Sequence, residues 1–263
     1  MTESQQPAAT ESQPKPEKKG DTFKTLFYAV VLALIIRSLV FEPFHIPSGS
    51  MKDTLLIGDF IFVSKASYGY SRYSFPLGLP VFEGRVMDGD KPKRGDIIVF
   101  RLPSNPRVDY IKRLIGFPGD TIQMKDGTLY INGEMISKVR VDDYVEYGSE
   151  GRRVRHVPKY KETLPNGVEY YVLDAMSNGE VDTTMEYEVP EGHYFFMGDN
   201  RDHSIDSRYD QVGFVPEENL IGRAQMVVFS VERDESLLHF WKWGETIRSG
   251  RYFIDLTNPE TAM

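Results

Sequence analysis

One segment constrains this chain before any other. Phe23 to Phe41 is a 19-residue run whose only charges are Lys24 and Arg37, and its centre from Leu26 to Ile36 reads LFYAVVLALII. As a helix rising ~1.5 Å per residue it spans about 28 Å, close to the hydrocarbon thickness of a bilayer. Lys24 and Arg37 lie near the two ends, where long side chains reach opposite interfaces. A cleaved signal peptide would end in a small-x-small site, and Ser38-Leu39-Val40-Phe41-Glu42 offers none. The pattern predicts a retained transmembrane helix over residues 23–42. Lys15, Lys18, Lys19 and Lys24 precede or open it, whereas Glu42 to Ile61 holds only Lys52. That asymmetry places the N-terminus in the cytoplasm and exports residues 43–263.

Residues 1–22 contain no Leu, Ile, Val or aromatic residue and read as a disordered cytoplasmic tail. The chain as a whole is 40% apolar and 27% charged, which is a folding composition. Its net charge of −8 excludes a non-specific nucleic-acid binder, which needs a basic footprint. The absence of cysteine excludes a disulfide framework, a cysteine nucleophile and thiolate zinc sites.

After residue 60 no long helical period occurs. Short apolar or alternating runs predict strands at Phe60–Val63, Asp96–Leu102, Val108–Ile115, Thr121–Met124, Leu129–Asn132, Glu169–Leu173, His193–Met197 and Arg223–Val231. Asp126-Gly127 and Asn132-Gly133 separate such runs at hairpin spacing. The expected class is mostly β: a coiled antiparallel sheet domain with a smaller β subdomain inserted at about 142–190, where the chain is polar and rich in Gly and Pro. Tyr68–Phe82 and Leu237–Trp243 are dense in aromatics and suit either the membrane interface or the β core.

Three segments carry chemistry. The first, Phe44-His45-Ile46-Pro47-Ser48-Gly49-Ser50-Met51, is a small polar turn with two hydroxyls. A serine nucleophile needs a base. None of the five histidines sits in a recognisable hydrolase signature. A desolvated, neutral lysine is the other option. Lys112 in Asp109-Tyr110-Ile111-Lys112-Arg113-Leu114-Ile115 shares a strand face with Tyr110 and Leu114. Lys52 and Lys65 compete, although Asp53 beside Lys52 would hold that lysine charged. The third segment, Gly198-Asp-Asn-Arg-Asp-His-Ser-Ile-Asp-Ser-Arg208, reads as a hydrogen-bonded polar network beside a core. Its spacing does not fit a calcium loop.

In this order behind an N-terminal anchor, the three segments resemble bacterial signal peptidase I, the membrane-bound serine endopeptidases of protein export. Arg94-Gly-Asp-Ile-Ile-Val-Phe100 resembles the family's structural strand, and Tyr110-Ile-Lys-Arg113 followed by Gly116-Phe-Pro-Gly-Asp120 resembles the box that carries its general base. The resemblance implies Ser50 as nucleophile and Lys112 as general base. It implies an oxyanion hole from the Ser48 hydroxyl and the Ser50 N–H. Ser204 would orient the lysine, and Asp206 and Arg208 would form a supporting ion pair. Ile46, Pro47, Met51, Leu55, Tyr110 and Ile111 match positions lining the substrate groove. The implied partners are signal peptides of exported preproteins, cut after small-x-small sequences, and the lipid bilayer. No metal, cofactor or nucleic acid is implied. The implied location is the bacterial plasma membrane, single-pass, with the catalytic domain outside the cytoplasm. Asp53 departs from the proline usual in the family. Two rival readings are a LexA-like self-cleaving Ser/Lys protein, which needs no anchor, and an inactive membrane-tethered β scaffold. A penicillin-binding type of enzyme would need Ser-x-x-Lys within the folded domain, and there is none.

Overall fold

The structure, a computed structural model, describes residues 19–39, 41–74, 84–86, 89–147, 154–176, 178–232 and 247–258. The chain divides into two compact units, residues 1–36 and 37–263.

The first unit contains most of helix α1 (Lys19–Leu39). Phe23, Leu26, Phe27, Tyr28, Val30 and Leu32 are all exposed on it. Among the described residues no helix is long and apolar enough to cross a membrane. The helix also stops before the expected end at residue 42. Phe41–His45 is strand, because Pro43 cannot continue a helix and pushes Glu42 towards extended backbone.

The second unit is built on a large antiparallel sheet whose eight strands we number in chain order. They are β1 (Phe41–His45), β2 (Asp59–Ser64), β3 (Ile97–Leu102), β4 (Asn105–Gly116), β5 (His193–Met197), β6 (Val215–Pro216), β7 (Leu220–Ser230) and β8 (Ile254–Asp255). Their spatial order is β1-β2-β7-β3-β4-β5-β6, with β8 added to β7. Between β4 and β5 the chain forms smaller sheets. One runs in the spatial order Tyr187–Glu188, Thr121–Lys125, Thr128–Ile131, Glu134–Met135, and another has Lys159–Thr163 between Ser137–Arg140 and Glu169–Leu173. Tyr144–Tyr147 and Val154–Val157 make a separate hairpin.

All eight expected strands occur, Glu169–Leu173 and His193–Met197 with the expected ends and the others with shifted ends. The hairpin signals are also observed: Asp126, Gly127, Asn132 and Gly133 all have positive φ, as tight turns between right-twisted strands require. The strands at Ser137–Arg140, Tyr144–Tyr147, Val154–Val157 and Lys159–Thr163 were not expected. Sequences such as SKVR and KYKET carry charge on alternate or adjacent positions and hide the period of two. Leu237–Trp243 and residues 75–82 lie outside the described residues. In the described part of the first aromatic stretch, Tyr68 and Tyr70 are buried, and the Tyr68 hydroxyl donates to Asp96 Oδ2 at 2.7 Å.

Strand β3 shows how the core is laid out. Its alternate side chains Ile97 and Val99 join Ile46, Met51, Leu55, Ile61 and Val63 in one apolar cluster. Ile98, Phe100 and Leu102 face the other way, with Leu114, Phe196 and Leu220. The sheet is therefore covered on both sides. Register places Lys112 opposite Ile98 and Arg113 opposite Ile97, so these neighbours enter different faces. Strand β5 pairs with β4 only at Arg113, Leu114 and Gly116. The outer edge of β4 up to Lys112 thus has no partner strand among the described residues, and β1 ends the sheet with its outer edge open.

Candidate active site

The open edges of β1 and β4 end at one place. From β1 the chain passes through Ile46 and Pro47 into the Ser48-Gly49-Ser50 turn, while β4 brings Lys112. Lys112 Nζ lies 2.8 Å from Ser50 Oγ and donates to the Ile111 carbonyl at 2.9 Å. Ser50 is 7% exposed and Lys112 4%. Burial is the main influence on the lysine and lowers its pKa from 10.5 to about 8, against the opposing pull of Asp206 and Asp199. Ser48 Oγ is 3.4 Å from Ser50 Oγ. Ser48 and Pro47 are exposed.

The polar loop after β5 backs this pair. Asn200 holds the serine turn at two points: its N–H donates to the Ser50 carbonyl at 3.0 Å and its Nδ2 to the Gly49 carbonyl at 3.0 Å. Arg208 donates to Asp206 through Nε at 2.8 Å and Nη2 at 2.9 Å. Asp206 also accepts the Gly198 N–H at 2.9 Å. Burial alone would raise the Asp206 pKa, but Arg208 outweighs it and holds the carboxyl below its ordinary value. Ser204 is buried beside this pair. Its hydroxyl is turned towards Asp206 and helps hold that carboxyl down, while Lys112 is held by Ser50 and Ile111.

Two further buried ion pairs fix the loop, and sequence reasoning did not find either. Arg113 grips Asp199 through Nε at 2.8 Å and Nη2 at 2.6 Å, and Thr54 Oγ1 donates to the same carboxylate at 2.6 Å. Arg201 binds Glu162 through Nη1 at 3.0 Å and Nη2 at 2.5 Å. Arg113 and Asp199 are 86 residues apart, so only the folded sheet brings them together. The one available signal was an arginine on the apolar face opposite the lysine. The reading of Lys52 is also corrected. It pairs with Glu146, whereas Asp53 pairs with Lys159. Lys65 pairs with Glu42 at 2.8 Å.

Of the residues matched to a substrate groove, Ile46, Met51 and Leu55 are fully buried in the core cluster. Tyr110 and Ile111 are half-buried, and Lys112 Nζ sits 5.1 Å from the Tyr110 ring centre. Away from the dyad, Asp174, Asp182 and Asp202 bring carboxylate oxygens within 4.8 Å of one another, as a cation could use. Lys138 already pairs with Asp174 there.

The family described as signal peptidase, peptidase S26, matches this chain over residues 19–229. The chain belongs to that family. A signal peptidase I of Rickettsia typhi is 44% identical over 90% of this chain and 94% of its own length. One of Rickettsia bellii is 45% identical over 90% of this chain and 86% of its own length. Among solved structures, a signal peptidase I of Enterococcus faecalis V583 is 36% identical, covering 51% of this chain and 97% of its own, with a TM-score of 0.30. As an S26 peptidase the protein is a serine endopeptidase that removes signal peptides from preproteins. This membership decides against the self-cleaving regulator and the inactive scaffold.

Proposed function

We propose that Ser50 and Lys112 carry out this hydrolysis. The observation that supports the assignment is the 2.8 Å contact between a buried serine hydroxyl and a buried lysine amine. In the neutral form the amine has a lone pair for the Ser50 proton. Ser50 Oγ attacks the scissile carbonyl as Lys112 takes that proton. The tetrahedral intermediate collapses to an ester on Ser50, and Lys112 passes the proton to the departing amine. Lys112 then takes a proton from water, whose oxygen attacks the ester; the intermediate collapses, Ser50 Oγ leaves and takes that proton back from Lys112, and the signal peptide's new carboxyl group loses its remaining proton to solvent. Oxyanion stabilisation falls to the Ser48 hydroxyl and the Ser50 N–H, which donates to no backbone acceptor among the described residues. Asp206 and Arg208 act by holding the loop behind the dyad.

The substrate binds as an added strand on the open edges of β1 and β4, where main-chain hydrogen bonds give affinity and alternate side chains give specificity. Tyr110 and Ile111 flank the dyad on that edge, with Ile46, Pro47, Met51 and Leu55 below the serine turn. Close-packed walls of this kind leave room for Ala, Gly or Ser at the residue before the cut and refuse Phe or Leu. The helical run from Phe23 to Leu39 serves as a single transmembrane anchor in the bacterial plasma membrane, with the N-terminus in the cytoplasm. Its sequence and the exposed apolar side chains from Phe23 to Leu32 support this reading. A bilayer interior covers such a run of apolar side chains.

The test is cleavage of a preprotein by detergent-solubilised wild type, Ser50→Ala and Lys112→Ala. Both variants should be inactive, and Ser50→Ala should keep the wild-type melting temperature. Full activity in Ser50→Ala would place the chemistry elsewhere.

A further inference from the structure

Directly behind the serine turn lies a second concavity, of about 320 Å³. Gly49 and Asn200 form its inner wall, and both are bonded to the turn that carries Ser50. The rest of its charge-bearing lining is Lys52, Glu146, Arg155 and His203. Glu146 and Arg155 come from the hairpin Tyr144–Tyr147 with Val154–Val157, where they face each other in register. The Lys52–Glu146 ion pair ties that hairpin to the serine turn. The volume exceeds that of a single water several times over and suits side chains.

A peptide laid along the open edge of β4 reaches the dyad at Lys112, and the concavity shares Gly49 and Asn200 with the Ser50 turn, within reach of residues next to the cut. Its charge is unbalanced. Lys52 is matched by Glu146, which leaves the exposed Arg155 guanidinium as the surplus, with His203 beside it. Glu146 is held below the ordinary carboxylate value, first by the Lys52 hydrogen bond, with Arg155 and His203 adding to it. It therefore stays ionised and keeps Lys52 occupied, while Arg155 remains available.

We infer that this concavity receives the first residues after the scissile bond, the new N-terminus of the mature protein, and that Arg155 makes it favour an acidic side chain there. The inference rests on Ser50 and Lys112 being the catalytic pair. It concerns only which substrates that pair cuts fastest. A basic residue in the same place would face Arg155 and Lys52 with no free carboxylate to meet it.

The experiment compares kcat/KM for peptide substrates identical up to the cut and carrying Glu, Gln or Lys at the two positions after it. Wild type should prefer Glu over Lys by roughly two- to fivefold, the scale of one exposed ion pair. Arg155→Glu should invert that order, and Arg155→Gln should flatten it. Each order is read as the ratio of the Glu to the Lys peptide within one variant, so a uniform change in rate does not affect it. Raising salt to 1 M should shrink the wild-type preference, since the Debye length falls to about 3 Å. A Glu-over-Lys preference that persists in Arg155→Glu would overturn the inference, as would its absence in wild type. Failure of the dyad assignment would look different: Ser50→Ala would still cut all three peptides.

Discussion

Lys112 Nζ and Ser50 Oγ lie 2.8 Å apart although 62 residues separate them in the chain. The sheet produces this contact. Strand β4 places Lys112 opposite Ile98 in a register that also buries Phe100 and Leu114, and the apolar surroundings strip the amine of water. The serine arrives from the other end of the sheet, on a turn clamped by Asn200 at the Gly49 and Ser50 carbonyls. A hydroxyl next to an ordinary, charged lysine would gain nothing from it. Next to a desolvated one it has a base.

The oxyanion hole gives the first prediction. Ser48→Ala should lower kcat by roughly 10²–10³ with little change in KM, the usual cost of losing one donor aimed at developing charge. Steady-state kinetics on a preprotein substrate checks it. A change mainly in KM would instead place Ser48 in substrate binding.

The buried Asp206–Arg208 pair gives the second. Removing either partner leaves the other charge unmatched, so Asp206→Ala and Arg208→Ala should each cost about 3–5 kcal/mol of stability and slow cleavage. The pH dependence follows from the depressed Asp206 pKa. This group's stabilisation is complete above its unfolded value of ~3.9 and is lost as pH falls from there through the lower folded value. Thermal melts of wild type and variants between neutral and acid pH read both effects. Unchanged melting temperatures in the variants would remove the supporting role.

Gly198 gives the third. A Cβ there would sit 2.2 Å from Ser204 Oγ and 2.6 Å from the Ser50 carbonyl. The Ser204 hydroxyl could turn aside, but neither its Cβ, 2.5 Å away, nor the backbone of the nucleophile could. Gly198→Ala should therefore reduce kcat by tenfold or more, on the reasoning that small displacements at a reacting centre are expensive. Ser204→Gly in the same chain should fail to restore the rate. Recovery in that double variant would show that only the serine side chain was crowded.

Much of this was legible in the sequence, for physical reasons that can be named. The strands with an apolar face, such as Ile97–Leu102 and His193–Met197, declare themselves because one or both faces must be covered. Hairpins at Asp126-Gly127 and Asn132-Gly133 do so because few residues accept positive φ. The Ser50 turn and Lys112 were legible as motifs. What stayed hidden is what depends on distant partners. Nothing local says that Arg113 meets Asp199, that Arg201 meets Glu162, or that Lys52 leaves its neighbour Asp53 for Glu146. Charged strands such as Lys159–Thr163 were hidden too, because pairing with Ser137–Arg140 and Glu169–Leu173 defines them more than their own pattern does.

The lysine itself gives the last prediction. Burial holds its pKa at about 8 in the folded protein, below the 10.5 of a free lysine. On the acid side kcat/KM should rise with pH through a value near 8, as the amine loses its proton and becomes a base. Stability should carry the same signature. Between about 8 and 10.5 the unfolded chain binds the proton and the folded one does not, so this group makes stability increase with pH across that window. The full effect is on the order of 3 kcal/mol, from the fall from 10.5 to about 8. Below the folded value the protein bears the whole cost of a buried charged amine. Lys112→Met keeps the apolar stem and discards the charge. It should be inactive, yet at neutral pH no less stable than wild type, and its stability should lack the rise between 8 and 10.5. Lys112→Arg should be inactive at every pH, because a guanidinium does not give up its proton. Denaturant titrations at several pH values, beside a pH–rate profile, test both halves. An active Lys112→Arg enzyme, or a profile unaffected by the lysine, would assign the base to another residue.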